Sequence, residues 1–360
     1  MSKAKEKMFI RQTTLPELGA RGQEKLLASK VAIVGCGGLG STAAVYLAAS
    51  GVGHIHLIDY DTIDTSNLHR QVFYTLDEVG TPKVTSLARH IENISPFVTV
   101  SYSDQPIAKN SIDEELQDYP VILDCTDSLP TKYLLNDYCV LKNKVLVYGS
   151  LYKHDGYAAV FNLPTKKGRS ANLRDAFPEM PQQHVPNCSE IGTLNPIVGI
   201  IALMQSNETI KLISGIGKGL ADQILIYNAM DNSQYKMKLN PKFPVERIAK
   251  IYNKENYFDP GCEVQDPLLL IDASEFKKRL DKGSMNILSV IGDSSYSYPF
   301  DIDLRMTNSK FDAAKVAPLL QHELGVVCQK GISSYAAVKK IKKAYPSATV
   351  YSLKHGLENY

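Results

Sequence analysis

Gly35, Gly37 and Gly40 stand in a G-x-G-x-x-G spacing with Gly38 inside it, and Asp59 follows roughly 20 residues later. Missing side chains in such a turn let backbone N–H groups approach a phosphate at a helix N-terminus, and an acid at that distance suits a ribose hydroxyl. Just beyond, Asp61, Asn67, Arg70 and Gln71 crowd the stretch YDTIDTSNLHRQ, and Lys83 follows Gly80 and Pro82 at the expected start of a helix. Farther on, LDCTDS carries Asp124 and Asp127. Arg70, Lys83 and Asp127 are types that suit phosphates and a metal, whereas no acid and base pair suited to hydride transfer stands beside them. Asp127 has a second reading as the N-cap of a helix over Leu129 to Tyr138.

Two cysteines sit where thiols are reactive. Cys188 leads, with Ser189 and Glu190, into an apolar helix over Ile197 to Ile213, and a helix N-terminus favours a thiolate. The same position also suits a packed, inert thiol, and spacing does not choose between the two. Cys328 ends the apolar run Leu324 to Val327 and opens a Gln329 to Ser334 turn into a helix over Tyr335 to Ala344. Backbone N–H groups of such a turn stabilise an anionic sulfur. Arg11, by local pattern, is a solvated surface charge.

These residues need strands and helices to position them. Val31 to Val34 is an unbroken apolar run of the kind buried on both faces of a parallel sheet. Small and apolar residues from Ser41 to Ser50 follow at helical spacing, Gly51 suits a left-handed cap, and His54 to Ile58 reads as the next strand. Further strands are expected at Thr99 to Tyr102, Val121 to Asp124, Leu141 to Ser150 and Tyr157 to Leu163, with an acidic helix, SIDEELQDY, before the second of these. Residues 8 to 28 suggest one short helical arm, and Pro164 to Asn187 a mobile loop. The pattern predicts an α/β domain over 1–252, a polar linker over 253–267 and a smaller α/β domain over 268–360.

The chain of 360 residues has 44% hydrophobic residues and a net charge of +2, so it can bury a sizeable core and its charge gives no reason to expect nucleic acid as a partner. No stretch approaches the 18 apolar residues of a membrane span, and MSKAKEKMF lacks an apolar signal core, so the expectation is a cytoplasmic protein with no membrane partner. Six cysteines without a C-x-x-C pair match neither a disulfide framework nor a zinc cluster.

In order, IRQTTLPELGARGQEKL, GCGGLGS, LIDYDTIDTSNLHRQ, VGTPKV and LDCTDS resemble the ubiquitin-activating-like family of the MoeB and ThiF type (HesA/MoeB/ThiF), with a rhodanese-like domain at the C-terminus. The resemblance implies a Rossmann-like, doubly wound, mostly parallel sheet followed by a smaller α/β rhodanese-like domain. It implies ATP-dependent adenylation of the C-terminal glycine of a ubiquitin-like sulfur-carrier protein, then sulfur transfer from a persulfide to give a thiocarboxylate. The fusion favours the molybdopterin-synthase small subunit as carrier, with the thiamine-pathway carrier next.

By the same resemblance Gly35, Gly37, Gly38, Gly40, Asp59 and Asp61 serve the nucleotide, and Asn67, Arg70, Gln71 and Lys83 its phosphates. Asp127 holds Mg²⁺. Arg11 reaches across a homodimer into the partner's site, Cys328 carries the persulfide, and Cys188 is the second reactive cysteine. A persulfide donor such as a cysteine desulfurase is a further partner. Two other readings compete: a nicotinamide-dependent oxidoreductase on the glycine motif, and a non-catalytic carrier-binding scaffold.

The chain departs from the family in two places. The family's zinc uses two C-x-x-C pairs; here the first falls on Ser170 to Leu173 and the second keeps Cys262 but has Gln265, so no zinc is expected. Around Ser289 and Ile291 the usual acid and arginine are missing, and Ser333 replaces a charged residue, although the CxxGxxS length is kept.

Overall fold

A computed structural model describes residues 2–166, 168–181, 192–257, 266–291, 296–307, 311–329, 331–357 and 360. The chain divides into two compact units, Met1–Phe258 and Asp259–Tyr360.

In the first unit, helices α1 (Lys3–Thr13) and α2 (Gly19–Leu27) precede strand β1 (Lys30–Val34). Then come α3 (Gly38–Ala49), β2 (His54–Ile58), α4 (Lys83–Ile94), β3 (Thr99–Ser103), α5 (Ile112–Leu116), β4 (Val121–Asp124), α6 (Leu129–Leu141), β5 (Val145–Tyr152) and β6 (Asp155–Phe161). A hairpin of β7 (Pro164–Thr165) and β8 (Gly168–Arg169), the short α7 (Leu173–Ala176), α8 (Asn195–Ser214), β9 (Gln223–Asn228), β10 (Gln234–Lys238) and α9 (Val245–Lys254) complete it.

Eight strands form one sheet in the order β10-β9-β6-β5-β4-β1-β2-β3. The run from β5 to β3 is parallel, while β6, β9 and β10 run antiparallel. Alternation along β1 explains why both faces are covered. Val31 and Ile33 enter a core with α3, α4 and α8, and Ala32 and Val34 enter a second core with α5 and α6. The chain leaves β1 toward β2 on one side, and β4 lies on the other, so the strand order reverses beside β1. Open α/β sheets bind ligands outside the strand ends at such a point.

Three expectations of local structure need correction. The arm over 8–28 is two helices, because Pro16 lies in the break between α1 and α2 and cannot continue a helix. Leu141 ends α6, and the strand begins at Val145 after a turn in which Asn143 takes a φ of 57°. Residues 164–176 are not a loop: β7 and β8 pair, and Asn172 and Asp175 close a capping box on α7. Residues 182–187 of that expected loop lie outside the described residues. The first unit also runs past Lys254 into residues read as linker, through Tyr257.

The second unit holds a parallel five-stranded sheet in the order β11-β15-β14-β12-β13. Its strands are β11 (Leu270–Ile271), β12 (Met285–Ser289), β13 (Leu304–Arg305), β14 (Glu323–Val327) and β15 (Val350–Leu353), and its helices are α10 (Ala273–Asp281) and α11 (Ile332–Ala344). Among the described residues, no helix is long and apolar enough to cross a membrane.

Candidate functional site

Parallel register brings three strand ends level in the first unit. Val34 pairs with Ile58 on one side and Asp124 on the other, so Gly35, Asp59 and Cys125 leave the sheet together. The turn after β1 is tight. Gly35 has a φ of +89°, and a Cβ built on Gly40 falls 1.7 Å from the Gly35 carbonyl oxygen, so both must be glycine. Helix α3 starts at Gly38, earlier than the expected Ser41, and Gly37 is its N-cap with no side-chain cap bond. The first-turn N–H groups of α3 are therefore left for a ligand.

The Cys36 peptide of this turn is gripped at both ends. Its N–H donates to Asp59 Oδ2 at 2.6 Å, and its carbonyl accepts the Tyr74 hydroxyl at 2.7 Å. The other Asp59 oxygen accepts the Asp61 N–H at 2.8 Å, so Asp59 braces the turn as well as closing the strand. Burial pushes the Asp59 carboxyl above its ordinary range against the pull of Lys83.

Lys83 opens α4 and is buried, with Nζ 2.7 Å from Asp61 Oδ2. Burial pulls its ammonium down, but Asp59, Asp61 and then Asp127 outweigh that and hold it above the ordinary value. Asp61 thus anchors the lysine. Asn67, Arg70 and Gln71 form a second wall on the glycine turn: a Cβ on Gly38 would fall 2.8 Å from the Arg70 carbonyl oxygen. Arg70 Nη1 donates to the Ser66 carbonyl at 3.2 Å, and Gln71 Nε2 to Asn67 Oδ1 at 3.2 Å. Gln71 is 3% exposed, yet its Oε1 has no hydrogen-bond partner.

Asp127 follows β4 and is exposed, and the N-cap reading fails for it: Ser128 Oγ accepts the Thr131 N–H and caps α6. No hydrogen bond or ion pair among the described residues engages the Asp127 carboxylate. The turn that presents it is rigid. Buried Lys132 donates to both oxygens of Asp124 at 3.2 Å and to the Gly149 carbonyl at 2.7 Å, while Asp124 Oδ1 accepts from Thr126. Neither Tyr74 nor Lys132 was among the residues expected from sequence.

Arg11 is not at this edge. Its neighbours on α1 pack at the far end of α3, Phe9 against Gly51 and Gln12 Nε2 on the Ser50 carbonyl at 3.1 Å. Helix α3 has 12 residues, about 18 Å of rise, between that end and the glycine turn. Cys188 lies outside the described residues.

The donor set fits ATP: a glycine cradle, an orphaned amide oxygen on Gln71, and two cations in Arg70 and Lys83. It fits Mg²⁺ in the usual manner of one carboxylate, Asp127, completed by phosphate oxygens and water. No group of three or more His, Cys, Asp or Glu able to hold a metal occurs among the described residues. The first zinc pair does not fit. Ser170 spends its hydroxyl oxygen on the Leu163 N–H at 2.9 Å, and Leu173 is in the apolar core.

In the second unit Cys328 leaves β14 beside the end of β12, and its sulfur faces two backbone donors and a hydroxyl. The N–H groups of Gly331 and Ser334 lie 3.1 and 3.3 Å from Sγ, and Ser334 Oγ lies at 3.2 Å. Ser334 Oγ in turn meets Ser352 Oγ at 2.7 Å, a hydroxyl chain that spacing did not suggest. Ser289, at the family's acid position, bonds Tyr298 Oη at 2.7 Å, and the Arg305 guanidinium lies 4.6 Å from the centre of the Tyr298 ring. An arginine thus reaches the same end of the sheet from β13.

A sulfur carrier protein adenylyltransferase of Thermus thermophilus is 38% identical over 242 residues, covering 66% of this chain and 89% of its own length. The probable adenylyltransferase/sulfurtransferase MoeZ of Mycobacterium tuberculosis is 32% identical over 370 residues, covering 98% of this chain and 92% of its own. A crystal structure of Escherichia coli MccB with ATP superposes with a TM-score of 0.55 at 22% identity, covering 62% of this chain and 66% of that one, a likeness of fold. The model of the ThiF family matches residues 9–247. Sheet order, glycine turn and relatives agree, and this chain is an enzyme that belongs to the ThiF family.

Proposed function

We propose that the enzyme uses ATP to adenylate the C-terminal glycine of a ubiquitin-like sulfur-carrier protein and then converts it to a thiocarboxylate with sulfur carried on Cys328. The observation that carries the first half is the convergence of the α3 N-terminus, Arg70, Lys83 and Asp127, unpartnered among the described residues, on one sheet edge. A carboxylate attacking the α-phosphate brings two anions together and expels pyrophosphate, so the chain's task is charge neutralisation and alignment. The α3 N–H groups and Arg70 hold phosphate oxygens, Lys83 follows the developing charge, and Asp59 and Asp61 keep turn and lysine in place beside the ribose. Asp127 would hold Mg²⁺, whose charge stabilises the departing pyrophosphate.

Arg11 completes the site from a second copy of the chain, making a homodimer with two shared sites. The N–H cradle around Cys328 supports a persulfide anion, loaded by a donor such as a cysteine desulfurase. Its terminal sulfur attacks the acyl carbon and AMP leaves, giving an acyl disulfide on Cys328; attack by a thiolate on the Cys328 sulfur then releases the thiocarboxylate, and an external thiol reductant opens the disulfide left behind. Cys188 serves the later acyl-transfer or release step. The molybdopterin-synthase small subunit is the favoured carrier, the thiamine-pathway carrier the next, and the site of action is the cytoplasm. The test is ATP–pyrophosphate exchange with each purified carrier: exchange that depends on a carrier's terminal glycine supports the reading, and no exchange with either carrier refutes it.

A further inference from the structure

Three segments far apart in sequence close on one buried carboxylate in the first unit. Asp137, on α6, is 0% exposed and takes the Arg174 guanidinium in a two-pronged pair, Nε to Oδ1 and Nη2 to Oδ2, each at 2.7 Å. Tyr257 donates its hydroxyl to Oδ2 at 2.5 Å, and Asn136 Nδ2 donates to Oδ1 at 3.0 Å. The carboxylate is fully engaged. Arg174 uses Nη1 on the Pro178 carbonyl at 2.9 Å, and its guanidinium lies 4.9 Å from the Tyr133 ring centre.

The same neighbourhood is tied down on every side. Leu173 N–H donates to Asn136 Oδ1 at 2.7 Å, the Tyr133 hydroxyl reaches the Phe177 and Glu179 carbonyls, and Asp175 Oδ1 accepts the N–H groups of Lys242 and Phe243. Burying a charged pair this deeply is tolerable only because each donor and acceptor is matched. The resemblance places the family's zinc ligands in these two segments, at 170–173 and at 262–265, and the first pair here is Ser170 and Leu173, which supply no thiolate. Arg174 and Tyr257 each stand a few residues before or after those positions.

We propose that Asp137, Arg174 and Tyr257 form a metal-free staple that ties the α7 segment and the end of the first unit to α6, in place of a structural zinc. This goes beyond the adenylation reading and does not depend on it. An uncharged α6 anchor could not grip both segments, because only a carboxylate offers enough lone pairs to take a guanidinium and a phenol together.

The experiment uses the full chain, purified without added metal. Elemental analysis should find well under one zinc per chain, and excess chelator should leave the melting temperature unchanged. Arg174→Met strands the Asp137 charge and should lower the melting temperature by about 6 °C or more. Tyr257→Phe should lower it by a few degrees and speed proteolytic cleavage next to residue 257. One zinc per chain whose removal lowers the melting temperature overturns the staple, as does an Arg174→Met protein that melts like the wild type. Should Arg174→Met not fold, Tyr257→Phe decides: unchanged melting and unchanged cleavage reject the proposal, a lower melting temperature with faster cleavage upholds it.

Discussion

Tyr74 donates its hydroxyl to the carbonyl of Cys36 at 2.7 Å, and through that bond the segment bearing Arg70 and Gln71 is fastened to the glycine turn. The opposite face of the same peptide is held by Asp59. The turn's N–H groups are therefore aimed before any nucleotide arrives, which is the condition for strong phosphate binding.

Tyr74→Phe removes that one bond and keeps the ring. A buried carbonyl left without its partner costs about 1 to 3 kcal/mol. The loss should appear as a several-fold weaker ATP affinity in calorimetry with carrier affinity unchanged. Equal weakening for both ligands would mean that Tyr74 supports the fold alone.

Asp127→Ala should abolish carrier-dependent pyrophosphate exchange while melting stays within about 1 °C. The reason is local: Ser128 already caps α6, so the carboxylate contributes nothing to the helix. Exchange near the wild-type rate would remove Asp127 from the metal role.

Much of this arrangement is legible in residue order because it is local. A strand, a glycine turn, a helix start and the next strand occur within Lys30 to Asp59, and period and composition fix each of them. Asp127 and Ser128 show where locality ends: both are capping types, and only the backbone decides which one takes the Thr131 N–H. Tyr74 on Cys36, Lys132 on Asp124 and Arg174 on Asp137 join segments whose partners no spacing rule pairs. The 164–176 stretch misled for a related reason. Its proline, glycine and lysines carry no period, yet a hairpin and a capping box hold it by hydrogen bonds rather than by an apolar face.

Arg11 can serve the glycine edge only from another copy, since α1 docks at the opposite end of α3. Arg11→Ala and Asp127→Ala proteins should each be inactive alone. Mixed under subunit exchange, they should recover up to about one quarter of wild-type exchange, the share expected if half the dimers are mixed and each holds one intact site. No recovery in verified heterodimers would show that each site is built from one chain.

The buried thiols of Cys36, Cys125 and Cys139 are pushed well above the ordinary thiol range, chiefly by burial. Their folded state therefore favours the protonated form: that stability is complete below the unfolded thiol value and is lost as pH climbs through the folded one. Native protein at pH 8 should label at these three sites with iodoacetamide at least about a hundredfold more slowly than unfolded protein. Melting temperature should fall as pH rises above about 9. Fast native labelling of Cys125 would contradict its place behind the glycine turn.

Cys328 separates the two halves of the reaction. On the proposed reading adenylation engages Arg11, Arg70, Lys83 and Asp127 and requires no thiol, whereas the Gly331 and Ser334 N–H groups converge on the Cys328 sulfur. Cys328→Ala should keep full carrier-dependent pyrophosphate exchange and form no thiocarboxylate from a protein persulfide, as read by the mass of the carrier. Ser352→Ala is the subtler probe. It removes the outer hydroxyl of the Ser334 chain, leaving both N–H donors in place, so thiocarboxylate formation should slow by about tenfold or less, the scale of one neutral hydrogen bond. Thiocarboxylate made at the normal rate by Cys328→Ala would make the second unit a docking module for the sulfur donor, with the acceptor thiol elsewhere in the chain.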